Sequence, residues 1–288
     1  MRVLIVGAGG MLGHKVWEIF RDRFDCRAAV RRRLPLPLFD DERVIDGFDA
    51  MDFDGVARLI AKVKPDAVIN CIGVVKQLAA AHDPIASITL NSLFPHIVAR
   101  ACGEAGARMI HISTDCVFAG TRGNYREDDV PDASDLYGRS KLLGEVTDGQ
   151  LTIRTSIIGR ELRASNGLVE WFLANRGGTV RGFTNAIFSG VTTAMLAHIL
   201  ATVIEQHPGL HGLYHVAGAP ISKYDLLVML NAAIGAGVVI TPDDSFAIDR
   251  SLNSSRFQAA TGLVPPQWPE MIAALAVESP LYERWRTE

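Results

Sequence analysis

Cysteine is scarce in this chain, with four residues in 288 (Cys26, Cys71, Cys102 and Cys116), scattered without metal-ligand spacing. That excludes a disulfide framework and reads as a set of reduced thiols in a cytoplasmic protein. The eight histidines are equally dispersed. His211 and His215 lie close together in Gly-Leu-His-Gly-Leu-Tyr-His-Val but have no third ligand nearby, so no metal site is expected. Neither sign of charge is in excess, since 29 basic against 32 acidic residues leave a net charge of −3. Arg31-Arg32-Arg33 is the one basic run. This balance argues against a nucleic-acid surface or a membrane-binding patch. No apolar run reaches the roughly 18 residues that a membrane span needs. No charged leader with a long apolar core precedes the first strand, so no signal peptide is expected. Internal repeats and low-complexity segments are also missing.

Glycine, by contrast, is concentrated where it can act. Arg2-Val-Leu-Ile-Val6 leads into Gly7-Ala-Gly-Gly10-Met-Leu-Gly13, followed by apolar residues at Val16, Ile19 and Phe20. The order is a buried strand (Val3 to Val6), a glycine turn and a helix, the fingerprint of a dinucleotide site. Glycines there let the backbone approach a pyrophosphate, and unpaired N–H groups at the helix start favour an anion. Gly7, Gly10, Met11, Leu12 and Gly13 are the residues placed at that contact. The spacing is G-x-x-G-x-x-G rather than G-x-G-x-x-G.

A β/α alternation is readable over about the first 160 residues. Strands are expected near Cys26 to Val30, Ala67 to Ile72, Arg108 to Ile112 and Leu151 to Arg154, with helices at about Phe53 to Val63 and Pro84 to Gly103. Continuously apolar strands separated by helices imply a parallel sheet covered on both faces, with ligands at the strands' carboxyl ends. Gly7 to Gly13, Cys71-Ile72-Gly73 and Ser113-Thr114-Asp115 all fall at such ends. Beyond residue 160 the pattern loosens. Gly159 to Gly167 and Gly177 to Ser189 are expected to be loops around a helix at Leu168 to Ala174. A helix at Thr192 to Gln206 and a strand at Gly212 to Val216 follow. Ser222 is expected to cap a further helix, with Asp225 three residues on, and a last helix follows Pro269.

Tyr137-Gly-Arg-Ser-Lys141 places a phenol and an ammonium one helical turn apart. A cation beside a phenol favours the phenolate and should lower the tyrosine's pKa, which suits a proton donor to a carbonyl oxygen near neutral pH. Thr114 would hydrogen-bond that oxygen. It can equally bond its own backbone, and Asp115 can equally cap the loop.

With Pro65-Asp-Ala-Val-Ile-Asn70, Asn91, Ser113-Thr-Asp-Cys-Val-Phe-Ala-Gly120, Tyr125-x-Glu127, Tyr137-Gly-Arg-Ser-Lys-Leu-Leu-Gly-Glu145, Arg154-Thr-Ser156 and Leu252-Asn-Ser-Ser255, the chain resembles an extended short-chain dehydrogenase/reductase. More narrowly it is similar, nearly end to end, to the dTDP-4-dehydrorhamnose reductase family. The resemblance implies a Rossmann-type doubly wound parallel sheet in an NADP-binding domain over 1–160, with a returning segment near 185–216. A smaller, noncontiguous substrate-binding lobe is implied over 161–288. It implies NADPH-dependent reduction of the 4-keto group of a nucleotide-linked deoxysugar for surface-polysaccharide synthesis, with Thr114, Tyr137 and Lys141 as the catalytic group. The cofactor site implied is Gly7, Gly10, Met11, Leu12, Gly13, Arg31, Arg32, Asp49, Ala50, Cys71, Ile72, Gly73, Tyr137 and Lys141. Val74, Lys76, Thr114, Asp115, Tyr137 and Arg181 would meet the substrate, Lys76 and Arg181 at its diphosphate. The partners implied are the nucleotide sugar and, as an assembly, a homodimer.

The chain departs from that family at Cys116 (usually aromatic), Ile157 (usually Trp), Cys71 to Gln77, and Gly182 to Gly190. These positions set the sugar, so the substrate can be dTDP-4-dehydrorhamnose-like or a UDP-2-acetamido-4-keto-6-deoxyhexose. Dehydratases of this fold carry a second carboxylate where Cys116 stands, which argues for reduction. An epimerase and a non-catalytic NADP-binding regulator, such as a methionine adenosyltransferase β-subunit, remain the alternatives. NADPH is preferred, with NADH also accepted, because Ala28-Ala-Val-Arg-Arg-Arg33 has no carboxylate for a ribose 2′-OH but has guanidinium groups for a 2′-phosphate.

Overall fold

The computed structural model describes residues 1–75, 83–163 and 165–287. In chain order its strands are β1 (Arg2–Val6), β2 (Asp25–Ala29), β3 (Val44–Ile45), β4 (Ala67–Asn70), β5 (Arg108–Thr114) and β6 (Leu151–Thr155). Then come β7 (Ile157–Ile158), β8 (Thr179–Phe188), β9 (Val191–Thr192), β10 (Gly212–His215), β11 (Ile221–Ser222) and β12 (Val239–Asp249). The helices are α1 (Met11–Phe20), α2 (Phe53–Val63), α3 (Pro84–Ser87), α4 (Phe94–Ala105), α5 (Leu136–Leu143), α6 (Leu168–Leu173), α7 (Thr193–Gln206), α8 (Lys223–Ile234), α9 (Ser255–Thr261) and α10 (Trp268–Thr287).

Seven strands form one sheet in the order β10-β6-β5-β4-β1-β2-β3, and each neighbouring pair is parallel. The expected doubly wound sheet is therefore present. β1 shows why its strands read as continuous apolar runs. Val3 and Ile5 pack on one face with Trp17 and Phe20 of α1, while Leu4 and Val6 pack on the other with Val56, Ile60, Phe94 and Val98. Side chains alternate across a strand, so both faces must be apolar when helices cover both. The polar surface of α2 starts at Asp52, whose carboxylate accepts from Gly55 N at 2.9 Å.

Two expectations fail. The helix expected over 84–103 is interrupted by a π-helical turn, Ile88–Leu93, between α3 and α4. Such turns insert one residue and often mark functional positions. The segment expected as a loop over Gly177 to Ser189 instead forms β8, paired in parallel with β12 and antiparallel with β11 in a three-stranded sheet. Gly182 and Asn185 hide the strand in the sequence, and its two partners lie 30 or more residues downstream. Gly182 is needed because a Cβ there would lie 2.9 Å from the Tyr224 ring on α8. Among the described residues no helix is long and apolar enough to cross a membrane.

Candidate active site

The strand order reverses between β1 and β4, so the crevice beyond their carboxyl ends is where ligands of open α/β sheets bind. The glycine turn fills its floor. Gly7 takes φ +86°, and a Cβ there would meet Ile72 Cγ1 at 2.6 Å, while a Cβ on Gly13 would meet Gly7 O at 2.1 Å. Gly10 N bonds Gly7 O at 3.0 Å, and Met11 and Leu12 open α1. No acidic residue stands in the first turn of α1, so its N–H groups face the crevice without a competing carboxylate.

Arg31 and Arg32 follow β2 at the same rim, both exposed. Neither enters a hydrogen bond or ion pair found among the described residues. Arg33 differs, because its guanidinium bonds Phe39 O at 3.2 Å and Val44 O at 2.6 Å and so holds its own loop. Phe48 N bonds Val30 O at 2.9 Å, which carries Asp49 and Ala50 to this rim. Asp49 is exposed and caps Met51 N at 2.9 Å.

On the other side, Cys71 N bonds Val6 O at 3.0 Å and Ile72 N bonds Asn70 Oδ1 at 3.0 Å. Burial pushes the Cys71 thiol up to about 12, so it stays a neutral wall residue. Asn91, inside the π-helical turn, is the staple of this region. Its Oδ1 accepts from Val74 N at 2.8 Å, and its Nδ2 donates to Val74 O and to Ser140 Oγ, each at 3.1 Å. The Gly73–Val74 segment is thereby fixed against α5, which carries Tyr137 and Lys141. A Cβ on Gly73 would lie 3.8 Å from Lys141 Nζ, so the lysine reaches the β4 end of the crevice.

Lys141 is buried and donates to Ile112 O at 2.7 Å, with His111 Nε2 at 3.5 Å. Burial lowers its ammonium to about 8, with Glu145 and Cys71 opposing the shift. Tyr137 does not follow the sequence expectation. Its phenol is pushed up, first by burial and then by Cys116, with the nearby Thr114 hydroxyl acting the other way. Burial decides the phenol's ionisation, and the Lys141 ammonium donates to the Ile112 carbonyl. Gly138 allows α5 to approach the turn after β5, because a Cβ there would sit 2.3 Å from Cys116 O.

Thr114 ends β5. Its Oγ1 donates to Asp115 Oδ1 at 3.1 Å and accepts from Cys116 N at 3.1 Å, so it caps its own turn, close enough to Tyr137 to act on the phenol's ionisation. Asp115 is buried, and that burial raises its carboxyl, with Lys223 and Arg250 among the groups pulling down. The Cys116 thiol is pushed up to about 12 by burial and by Asp115.

Behind this rim several motif residues turn out to be scaffold. Glu145 accepts from Ser113 Oγ at 2.7 Å and from Arg154 Nε and Nη2 at 2.8 and 2.7 Å. Arg154 stacks over Phe118, 5.2 Å from its centroid, and reaches His215 Nε2 at 3.4 Å. Glu127 accepts from His215 N at 2.8 Å, and Tyr125 stacks on Phe118 at 4.1 Å. This buried network fixes the strand end on which Thr114 stands.

Of the cations expected at a substrate diphosphate, Lys76 lies outside the described residues. Arg181 is on β8, exposed and paired with Asp243 at 3.1 Å, and no bond among the described residues links it to the Thr114 group. Two other cations were missed. Lys223 opens α8, lies 4.0 Å over the Phe188 ring and acts electrostatically on Asp115. Burial lowers its ammonium to about 8. Arg250 donates to Phe118 O at 2.8 Å and lies 3.8 Å from Cys116 Sγ. Both come from the C-terminal half and reach the end of β5 only through folding, so no local motif marks them.

A doubly wound parallel sheet, a glycine turn at its switch point, and Thr114, Tyr137 and Lys141 gathered at its carboxyl edge define a protein of the short-chain dehydrogenase/reductase class. The chain belongs to the RmlD substrate binding domain family, which it matches over residues 1–279. It is 27% identical over 294 residues to dTDP-4-dehydrorhamnose reductase of Salmonella typhimurium, a likeness covering 93% of this chain and 94% of that protein. It is 32% identical over 144 residues to methionine adenosyltransferase 2 subunit beta of Bos taurus, covering 50% of this chain and 41% of that protein. The fold is similar to that of dTDP-4-dehydrorhamnose reductase from Bacillus anthracis, crystallised with NADP, with a TM-score of 0.81 and 23% identity over 96% of this chain and 99% of that one.

Proposed function

We propose that this chain reduces the 4-keto group of a nucleotide-activated 6-deoxysugar with NADPH. The observation that carries the reading is the placing of Tyr137 and Lys141 on one helix, tied through Ser140 and Asn91 to the Gly73–Val74 segment beside the glycine turn. Likeness along nearly the whole length of the Salmonella dTDP-4-dehydrorhamnose reductase supports it. The NADP bound in the Bacillus anthracis structure supports the cofactor. The first sheet would serve the cofactor, and the three-stranded sheet with its helices would cover the sugar.

The residues present fit a dinucleotide. The turn from Gly7 to Gly13 has no room for a Cβ at either end, and Arg31 and Arg32 are exposed where a 2′-phosphate would lie. NADPH, when bound, supplies the hydride. Lys141 would hold the nicotinamide ribose hydroxyls through its ammonium. Tyr137, kept protonated by burial, gives its proton to the oxygen that gains charge, and Thr114 turns its hydroxyl to the same oxygen. Lys223 and Arg250 stand ready for an anionic part of the substrate, the diphosphate in a dTDP- or UDP-linked sugar. With Cys116 in place of a second carboxylate, the site lacks the acid–base pair a dehydration uses.

The half-length likeness to methionine adenosyltransferase 2 subunit beta favours a second reading, an NADP-binding regulator without turnover. Following NADPH absorbance with dTDP-, UDP- and GDP-linked 4-keto-6-deoxysugars separates the two. Consumption with at least one sugar is expected. Tight NADPH binding with no consumption by any of them would favour the regulator, and oxidised cofactor that survives gel filtration would favour an epimerase.

A further inference from the structure

The C-terminal helix reaches the glycine turn through a buried hydrogen-bonded chain that the mechanism above does not use. His14, on the first turn of α1, has Nδ1 at 2.8 Å from Gly10 O and Nε2 at 2.6 Å from Tyr282 Oη. His14 and Tyr282 are both fully buried, and their rings meet edge to face. A carbonyl can only accept, so Nδ1 carries the proton and Nε2 accepts from the tyrosine hydroxyl. Burial lowers the imidazole to about 3, so this tautomer holds at any working pH. Lys15 locks the two helices together. Its ammonium bonds Glu18 at 2.5 Å and Glu278 at 2.7 Å and sits 5.2 Å from the Tyr282 ring centroid.

Gly10 O already accepts the first helical bond from His14 N, at 3.0 Å. The imidazole adds a second. The peptide unit is planar, with C=O and N–H pointing opposite ways, so fixing Gly10 O along the helix also fixes Met11 N–H toward the crevice. That N–H belongs to the unpaired set at the start of α1, where an anion is favoured. An apolar pair would pack between α1 and α10 without the cost of burying an imidazole and a hydroxyl.

Resting on the reading that this turn binds NADPH, we infer that His14 and Tyr282 are positioning residues for the cofactor's pyrophosphate. Through them α10 aims the Met11 N–H.

The test uses the full chain and calorimetric titration of NADP⁺ and of adenosine 2′-monophosphate, which keeps the 2′-phosphate and lacks the pyrophosphate. Titrations are run well below each variant's melting temperature. Tyr282→Phe is expected to weaken NADP⁺ by about three- to tenfold, the worth of one hydrogen bond, and to leave adenosine 2′-monophosphate unchanged. His14→Leu should share the loss, whereas His14→Gln, which keeps both a donor and an acceptor, should recover most of it. In turnover, KM for NADPH should rise by the same factor while kcat holds. Unchanged NADP⁺ affinity in both Tyr282→Phe and His14→Leu overturns the inference, as does an equal loss for the two ligands. A wild-type chain that binds neither NADP⁺ nor NAD⁺ would overturn the functional reading itself and this inference with it.

Discussion

Replacing Glu145 by Gln tests whether the strand end under Thr114 is held by charge. The carboxylate and the Arg154 guanidinium have side-chain exposures of 7% and 3% and meet at 2.7 Å. Gln keeps the shape, but it leaves the guanidinium buried between the Phe118 ring and His215 with no counter-charge. Breaking one side of a buried pair costs about 3–5 kcal/mol. At about 2–4 °C per kcal/mol for a large domain, the melting temperature should fall by roughly 6–20 °C. Ser113 also loses its charged acceptor, so kcat should drop as Thr114 shifts. Thermal unfolding of Glu145→Leu, Arg154→Met and the double variant Glu145→Leu/Arg154→Met, alongside Glu145→Gln, measures the coupling. The double variant should be more stable than the sum of the single losses predicts, because an apolar pair replaces a desolvated ionic one. A shift of less than about 2 °C for Glu145→Gln, equivalent to under about 1 kcal/mol, would refute the account. So would strictly additive losses.

Three further outcomes follow from the site. Tyr137→Phe should cut kcat by roughly a thousandfold, within the range of positioned acid catalysis, while NADPH affinity measured by titration stays within several-fold; near-full activity would remove the proton-donor role. Replacing Arg31 and Arg32 together with Ser should cost a few kcal/mol of NADPH binding, since charge-assisted bonds contribute about 1.5–3 kcal/mol each, and should leave NADH use nearly unchanged; equal losses for both cofactors would contradict the 2′-phosphate contact. For pH, the Lys141 ammonium is charged below about 8 and loses its proton as pH rises through that value. kcat/KM for NADPH should therefore be level on the acid side and fall on the alkaline side, and Lys141→Arg, which does not titrate there, should lose that break. A break that persists in Lys141→Arg assigns it to another group.

The sequence announced the first sheet because its strands are short, continuously apolar runs that end at glycine or polar residues, although their partners are distant, as Val3 of β1 and Ala67 of β4 show. β1, β4 and β5 read from Val3 to Val6, Ala67 to Ile72 and Arg108 to Ile112, where the structure has Arg2–Val6, Ala67–Asn70 and Arg108–Thr114. β8 was hidden because Gly182 and Asn185 interrupt its apolar pattern, and only its pairing with β11 and β12 shows the strand. The π-helical turn around Asn91 was invisible for a similar reason. Helical periodicity barely registers a single inserted residue, and the turn is held by bonds to Val74 and Ser140 from other elements. Tyr137 and Lys141 were legible as a pair, but the sign of the tyrosine's shift was not. The spacing places the ammonium on the same helix face, and only the fold shows that burial of the phenol outweighs it. Lys223 and Arg250 carry no motif, and their relation to Asp115 exists only in three dimensions. Arg181 looked available as an isolated cation in a glycine-rich stretch, yet β12 supplies Asp243 as its partner.

Direct transfer of label tests the central claim. NADPH carrying deuterium at nicotinamide C4 should be incubated with the nucleotide-linked 4-keto-6-deoxysugar that supports turnover, and the product analysed by NMR and mass spectrometry. The account predicts one deuterium at sugar C4, from one face of the nicotinamide only, with loss of one equivalent of NADPH and roughly a thousandfold less labelled product formed by Tyr137→Phe over the same interval. Product that carries solvent hydrogen at C4, or sugar epimerised with no net consumption of NADPH, would contradict it.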